Sequence, residues 1–163
     1  MGLDNIIVNK NPVETDGDCQ AFEEATDHEI YRFCNKLISG ILTNHSVSFR
    51  GKAYANFIEI YCKADLYETE KWTKETYEQV CNGIKSYVEQ NYFRRKWELM
   101  NIRNPLRKEV KANANKLSID TLRLVNIELE KNFYFNLREL KALYDLFTYL
   151  SKNTDKYFIL AWA

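Results

Sequence analysis

The stretch Gly2-Leu3-Asp4-Asn5-Ile6-Ile7-Val8-Asn9 lies near the start of the chain and contains three consecutive β-branched residues. Such residues are enriched in strands, and Asn11-Pro12 supplies a turn signal directly after them. A second apolar run, Tyr157-Phe158-Ile159-Leu160-Ala161-Trp162, follows the turn-like Lys152-Asn153-Thr154-Asp155. Because a buried run must satisfy its backbone hydrogen-bonding groups somewhere, we expect these two ends to pair in one small sheet.

Between the two runs, apolar residues recur at the three- and four-residue steps of amphipathic helices. The pattern predicts helices from Asp27 to about Ile41, from Gly51 to Cys62, from Thr73 to Val88 and from Asn136 to Leu150. Residues 117–133 are apolar on more than one side, and helix is favoured there over strand. The sequence therefore predicts an α+β fold, predominantly helical, with five to six helices and a small sheet formed by the N- and C-terminal strands.

The third helix is expected to continue through Trp97 toward Met100, until Pro105 interrupts it. Residues 104–116 are rich in Lys and Asn and are the nearest thing to a flexible connector. The length of 163 residues and the hydrophobic content of 45% suit one domain over residues 1–163.

Cysteine and histidine are too sparse and too scattered to predict a metal site. The four cysteines (Cys19, Cys34, Cys62 and Cys81) form no C-x-x-C pair, and His28 and His45 are the two histidines. We expect reduced thiols, no metal and no cofactor. The opening residues lack the features of a signal peptide, and no apolar run is long enough to span a membrane, so the expected location is the cytoplasm, with no membrane partner.

Charge is unevenly distributed although its formal sum is zero. Residues 1–30 hold eight acidic side chains and one lysine, Lys10, whereas residues 94–116 hold eight basic ones and two glutamates. Either the two regions neutralise each other on the folded surface, or the basic segment meets an acidic partner.

The motif Ser48-Phe49-Arg50-Gly51-Lys52 can make an anion site if Gly51 begins a helix, because the first backbone N–H groups and the helix dipole then favour phosphate. Arg50 would add a bidentate donor and Lys52 a mobile charge, with contacts from Ser48 and His45. The predicted ligand-binding residues are therefore Ser48, Arg50, Gly51, Lys52 and His45. Alternatively, Gly51 only permits a tight turn, and Arg50 pairs with Asp4 or the acidic loop to hold the N-terminal strand.

The segment Tyr92-Phe93-Arg94-Arg95-Lys96-Trp97 interleaves cations with aromatic rings, as single-strand binders do. The residues predicted to bind nucleic acid or an acidic protein are Arg94, Arg95, Lys96, Arg103, Arg107 and Lys108. In the alternative interpretation, Phe93, Trp97 and Met100 share one side of a helix. The aromatic side chains then belong to the core and the cations form a solvated face.

No catalytic residue is predicted. The carboxylate pairs Glu23–Glu24 and Glu59–Asp65 are better explained as surface charge, and the neighbours His45 and Ser46 have poor geometry for mutual activation. Cys34, Cys62 and Cys81 lie on apolar helix stripes, where this residue usually acts as a small hydrophobe.

Several of these motifs together resemble small uncharacterised proteins carried by bacteriophages and by some bacteria. They are the opening Met1–Asn5, Ser48–Lys52 followed by Tyr54, Leu66-Tyr67-Glu68, and the Leu-rich last helix before an aromatic-ended strand. Residues 92–135 do not fit the shorter relatives, so they read as an insertion that carries the basic segment. The resemblance implies a phage origin and no established activity.

The leading hypothesis is a phage-borne, non-enzymatic binding protein that counters host defence by sequestering a phosphorylated small-molecule signal in the host cytoplasm. A homodimer would bring two such anion sites together. One alternative is a protein inhibitor of a host complex, such as a CRISPR effector, acting through residues 94–116. Another is an accessory protein that binds RNA or DNA.

Overall fold

The computed structural model of the chain describes residues 2–11, 22–40, 47–132 and 135–162. These residues form two compact units: residues 1–85 with 137–163, called the sheet unit below, and residues 86–136, called the hairpin. The six α-helices of the described part are α1 (His28–Cys34), α2 (Gly51–Phe57), α3 (Lys74–Tyr87), α4 (Arg94–Ala112), α5 (Lys116–Asn132) and α6 (Leu137–Ser151). With a small sheet, they confirm the predicted α+β, mostly helical fold.

The sheet has three strands: β1 (Asp4–Asn9), β2 (Ser48–Phe49) and β3 (Tyr157–Trp162). Their order is β2-β1-β3, and both pairings are antiparallel. β1 and β3 pair along their full length, so the predicted pairing of the two terminal runs is confirmed. β2 was not predicted, because two residues are too few to show an alternating pattern.

β1 is buried on both faces of the sheet. Ile6, Ile7 and Val8 are almost inaccessible, and Leu3 just before the strand is fully buried. Because successive side chains of a strand point to opposite faces, this continuous burial means that both faces are covered. An uninterrupted β-branched run, rather than alternation, is therefore the sequence signature of the central strand.

One side of the core centres on Phe147 of α6. The rings of Phe49, Trp72 and Tyr77 surround the Phe147 ring at centroid distances of 6.5, 5.7 and 6.3 Å. The regular apolar spacing of α6 buries four of its leucines, Leu140, Leu143, Leu146 and Leu150. A π-helical turn over Ile58–Cys62 and a 3₁₀ segment over Leu66–Lys71 connect α2 to α3.

α1 is shorter than predicted. The apolar spacing indicated about four turns up to Ile41, whereas the helix ends at Cys34. The backbone N–H of Ile38 instead donates to the hydroxyl of Tyr54 (2.8 Å), and the Ile38 carbonyl accepts from the N–H of Arg50 (2.7 Å). These tertiary hydrogen bonds replace those that a longer helix would have made.

The hairpin pairs α4 with α5 around Leu99 and Val125, which are buried. Asn115 caps α5 by accepting from the N–H of Leu117 at 2.9 Å, and Ser118 donates to Glu109 of α4 at 2.9 Å. A π-helical turn over Val88–Phe93 precedes α4.

Two expectations for the hairpin are wrong. Pro105 lies inside α4, and residues 104–112 are helical rather than a connector. Proline removes one helical N–H donor and leaves the carbonyl of Asn101 without it. Both residues are exposed, so water can satisfy that carbonyl and the helix continues.

The first prediction concerns the buried hydroxyl of Tyr54, which donates to Glu139 Oε1 at 3.0 Å and accepts from the N–H of Ile38. Tyr54→Phe would remove both interactions from a fully buried site. We expect a loss of about 1–2 kcal/mol in the free energy of unfolding, measured by urea denaturation. The control is Tyr67→Phe, at a side chain that is 50% exposed. Equal stability of the two variants would contradict the prediction.

The second prediction concerns Asp27, which caps α1 by accepting from the N–H of Glu29 at 2.9 Å and also accepts from the hydroxyls of Tyr149 and Tyr157. Burial alone raises the pKa of this carboxyl, but the hydrogen bonds outweigh it and the pKa is lowered. The same contact raises the pKa of Tyr149 to about 12. The native state therefore binds the proton of Asp27 more weakly than the unfolded chain does.

It follows that Asp27 stabilises the fold above its unfolded pKa of about 3.9, and that this contribution is lost as pH falls through the lower folded pKa. Asp27→Asn keeps a capping side chain but removes the titration. We expect its unfolding free energy to rise less steeply with pH below about 4 than that of the wild type, by urea denaturation across a pH series. Asp155→Asn, at an exposed aspartate, serves as the control. Parallel wild-type and Asp27→Asn profiles would disprove the linkage.

Candidate functional site

The residues of the predicted anion site lie where β2 meets α2, against β1. Ser48 pairs with Ile6 in the sheet, Arg50 precedes α2, and Gly51 is its first residue. Ser48 and Gly51 are buried, whereas Lys52 is exposed. The fifth predicted residue, His45, lies outside the described part of the chain.

Arg50 makes an ion pair with Asp4. Its Nη1 lies 3.1 Å from Asp4 Oδ1, and the two side chains are 22% and 7% exposed. Gly2 packs so closely on the guanidinium that a Cβ there would overlap it. The contact agrees with the second interpretation of Arg50, in which it pairs with Asp4 and holds the N-terminal strand.

The start of α2 is also in contact with β1. A Cβ at Gly51 would collide with the side-chain amide of Asn5, so glycine is needed here for close packing rather than for a turn. The N–H of Lys52 donates to the carbonyl of Leu3 at 3.0 Å. These contacts give Arg50 and Gly51 a structural role, and binding of a phosphorylated ligand at Ser48–Lys52 stays a prediction.

The six cations predicted for a partner or nucleic acid differ in their surroundings. Arg94, Arg107 and Lys108 are exposed. Arg95 is exposed too, but its guanidinium lies 3.5 Å from Glu98 and 4.0 Å from Glu128 of α5. The six residues therefore do not act as one uniform set of charges.

The other two cations lie partly inside the hairpin. Lys96 is half-buried, with Nζ 4.8 Å above the centroid of the Tyr92 ring and 3.1 Å from its hydroxyl. Arg103 is half-buried as well, and its Nε has no hydrogen-bond partner among the described residues. Both side chains take part in the packing of α4, so they are less available to an external partner.

Two aromatic side chains near the start of α4 are, by contrast, exposed. Phe93 is 57% exposed and Trp97 is 68% exposed, so the interpretation that placed them in the core is wrong for these two rings. Met100 is half-buried, and the other buried or half-buried positions of this segment are Tyr92, Lys96, Leu99, Arg103, Leu106 and Val110. These other six positions form a regular series. They alternate steps of four and three residues, as in a helical seam. Because polar residues occupy half of the seam's first four positions, the hydrophobic pattern of the sequence indicated the wrong side.

Exposed apolar side chains continue on α5. Leu117 is 74% exposed and Leu124 is 67% exposed. We call the exposed apolar residues of the hairpin the hairpin surface: Phe93, Trp97, Ile102, Leu117, Ile119, Leu124 and Ile127. Single exposed apolar residues are ordinary, whereas contiguous exposed apolar patches are typical of binding surfaces. The sequence signal of the hairpin surface was the apolar character of residues 117–133 on more than one side.

The described cysteines are not activated as nucleophiles. Cys34, Cys62 and Cys81 are buried, and burial raises the pKa of Cys34 and of Cys62 to about 12, so these thiols are protonated at neutral pH. Asp65 Oδ1 accepts from the N–H of Tyr67 at 2.8 Å and caps the 3₁₀ segment. Within the described ranges, no three His, Cys, Asp or Glu side chains cluster as metal ligands would, and no helix has the length and hydropathy to cross a membrane.

No family model, no curated protein and no solved structure matches this chain. Its activity is therefore inferred from its own side chains. Of the features above, the Asp4–Arg50 pair has a structural explanation, and the hairpin surface does not.

The third prediction tests the structural role of Arg50. Arg50→Ala would leave the carboxylate of Asp4 buried without its ion-pair partner. We expect a loss of about 2 kcal/mol in unfolding free energy, reduced from the value for a fully buried pair because Arg50 is partly exposed. Chemical denaturation measures it. In Arg32→Ala, which breaks the exposed pair with Glu29, the loss should stay below about 0.5 kcal/mol. Similar losses in both variants would contradict a structural role for Arg50.

Proposed function

We propose that this protein is a non-enzymatic binding protein that recognises another protein through the hairpin surface. The observation that carries the proposal is the exposure of large apolar side chains on both helices of the hairpin, led by Leu117, Trp97 and Leu124. Burying such side chains against a partner is favourable by about 25 cal/mol per Å² of apolar area. Aromatic anchors such as Trp97 are typical centres of protein interfaces.

The composition of the surface favours a protein over a nucleic acid. Five of its seven residues are leucine or isoleucine, which cannot stack on bases as aromatic rings do. Several of the cations are already engaged, with Arg95 in ion pairs and Lys96 on the Tyr92 ring. A single-strand binder would need those cations for phosphates.

The charge of α4 indicates the character of the partner. Residues 94–116 hold eight basic and two acidic side chains, and Arg94, Arg107 and Lys108 are exposed among them. An apolar groove with an acidic rim would complement this arrangement. The rim charges would mainly speed association, whereas the apolar side chains would hold the complex together.

The resemblance to small phage proteins motivates the biological part of the proposal. The partner is then a host defence complex, such as a CRISPR effector, and binding of the hairpin blocks it in the host cytoplasm. Sequestration of a phosphorylated signal at Ser48–Lys52 has weaker support, because Arg50 is engaged by Asp4 and the start of α2 packs on β1. Inhibition by contact is therefore our preferred mechanism.

The fourth prediction tests the hairpin in cells. The protein is expressed in bacterial strains that each carry one defence system, and the plating efficiency of a sensitive phage is measured. We expect the wild type to restore plaques in at least one strain and Trp97→Glu/Leu124→Glu to lose that effect, because two charges would enter the interface core. The control Ile60→Glu/Tyr67→Glu changes two apolar residues of the sheet unit, each 50% exposed, and should retain it.

The affinity of the purified protein is then measured for the defence complex from the strain in which plaques are restored. Arg107→Glu/Lys108→Glu should weaken binding, and the wild-type affinity should fall as salt rises from about 50 to 200 mM. The proposal would be overturned if the wild type restored plaques in none of the strains, or if the hairpin and control variants lost this effect equally. Circular dichroism of each variant shows whether it is folded.

Two other occupants of the hairpin surface would also overturn it. Tight, salt-sensitive binding of a fluorescein-labelled oligothymidine that Trp97→Glu abolishes would indicate a nucleic-acid site. A dimer in native mass spectrometry that Leu124→Glu dissociates would indicate that a second copy of the chain covers the surface.

A further inference from the structure

The sheet unit contains a cleft that none of the predicted residues lines. Its volume is about 560 Å³, and its walls come from β3, the start of α3 and the end of the 3₁₀ segment. Sites for small molecules typically measure about 300–1,000 Å³. The cleft is thus large enough for a molecule with a ring system, and it is larger than a bare anion would need.

Aromatic rings form part of the cleft lining, and we call Trp72 and Phe158 the aromatic wall. Tyr157 is also in the lining, but it is next to Phe158 in β3, so its side chain lies on the opposite face of the sheet. The indole Nε1 of Trp72 donates to the carbonyl of Asp65 at 3.1 Å, and its ring packs edge-on against Tyr77 at 5.4 Å. Phe158 is held by an edge-to-face contact with Phe22 at 4.9 Å. These contacts orient the rings before any ligand arrives, so a flat ligand would find a formed surface for stacking.

Two lysines line the same cleft. Nζ of Lys10 donates to the carbonyl of Thr154 at 2.9 Å, which positions the ammonium and uses one of its three donors. Nζ of Lys74 is 4.0 Å from Glu78 in a pair whose side chains are both more than half exposed. An exposed pair at this distance is weak, so Lys74 can turn toward an anion at little cost.

The remaining polar groups narrow the class of ligand. Lys74 and the preceding Thr73 stand at the beginning of α3, where the helix dipole adds positive potential to that of the lysines. Among the described residues that line the cleft, Glu70 is the one acidic side chain, and its Oε1 accepts from the N–H of Ala161 at 3.1 Å. Two cations, one engaged carboxylate and an aromatic wall suit an anion attached to a flat, partly polar ring better than a purely apolar molecule.

We propose that this cleft binds a nucleoside phosphate, whose base stacks on the aromatic wall and whose phosphate meets Lys10 and Lys74. The edge of the base carries N–H groups that can donate hydrogen bonds to Glu70 or Thr154. The cleft volume accommodates both the base and the phosphate. This site is separate from Ser48–Lys52 and belongs to the sheet unit. It does not rest on the proposed function of the hairpin, so either can fail without the other.

The fifth prediction uses Trp72 as the reporter. The chain has three tryptophans, so Trp97→Phe/Trp162→Phe leaves Trp72 as the single indole. This protein is titrated with AMP, GMP, CMP and UMP, and with adenosine and inorganic phosphate separately, while its fluorescence is followed. We expect saturable quenching by at least one nucleotide, and binding weaker by about tenfold for the nucleoside or phosphate alone, because each lacks one half of the contacts.

Variants in the same background assign the cations. Lys10→Gln and Lys74→Gln should each weaken nucleotide binding by about tenfold. Lys71→Gln, at a neighbouring exposed lysine that pairs with Glu68, should leave it unchanged. Because Lys10 also tethers the turn at Thr154, Lys74→Gln is the deciding variant if Lys10→Gln does not fold. No saturable quenching by any of the four nucleotides, or equal affinity in Lys74→Gln and Lys71→Gln, would overturn the proposal.

Discussion

The pairing of β1 along both of its edges is the constraint on which the sheet unit depends. Burying a polar side chain in a central strand is costly unless it is hydrogen-bonded or paired, and Asp4 and Asn5 enter with β1. Asp4 pairs with Arg50, and Nδ2 of Asn5 donates to the carbonyl of Leu66 at 3.0 Å. A register shift of one residue would turn both polar side chains to the opposite face. These two contacts therefore fix the start of α2 and of the 3₁₀ segment relative to the strand.

The same constraint explains why Ser48–Lys52 resembled a ligand site. An arginine beside a glycine at a helix start can receive an anion from solution or from its own chain, and the local sequence is identical in both cases. Here the chain provides Asp4 and brings Leu3 and Asn5 against the helix start. The motif alone could not distinguish the two, because the partner lies 46 residues away in the sequence.

The sequence predicted the parts of the fold that depend on local patterns, and it missed those that depend on contacts between distant segments. The terminal strands were predicted from runs of β-branched and other apolar residues, and α2, α3 and α6 from periodic apolar spacing, because both are local patterns. The length of α1 was not, because Ile38 exchanges helical hydrogen bonds for bonds to Tyr54 and Arg50. The exposure of Phe93 and Trp97 was missed because Lys96 and Arg103 occupy the helical seam in their place. The aromatic cleft was missed because its walls come from distant segments, and local apolar spacing does not show which distant segments meet.

The two units also differ in charge, and this bears on what each can bind. The hairpin sequence, residues 86–136, holds ten basic and six acidic side chains, and the rest of the chain holds thirteen basic and seventeen acidic ones. The hairpin can thus attract an acidic partner through its overall field. The sheet unit cannot attract a phosphate in that way, so a nucleotide there would depend on short-range contacts with Lys10 and Lys74. Binding at the hairpin should accordingly respond to charge changes across much of α4, whereas binding at the cleft should respond to two lysines and little else.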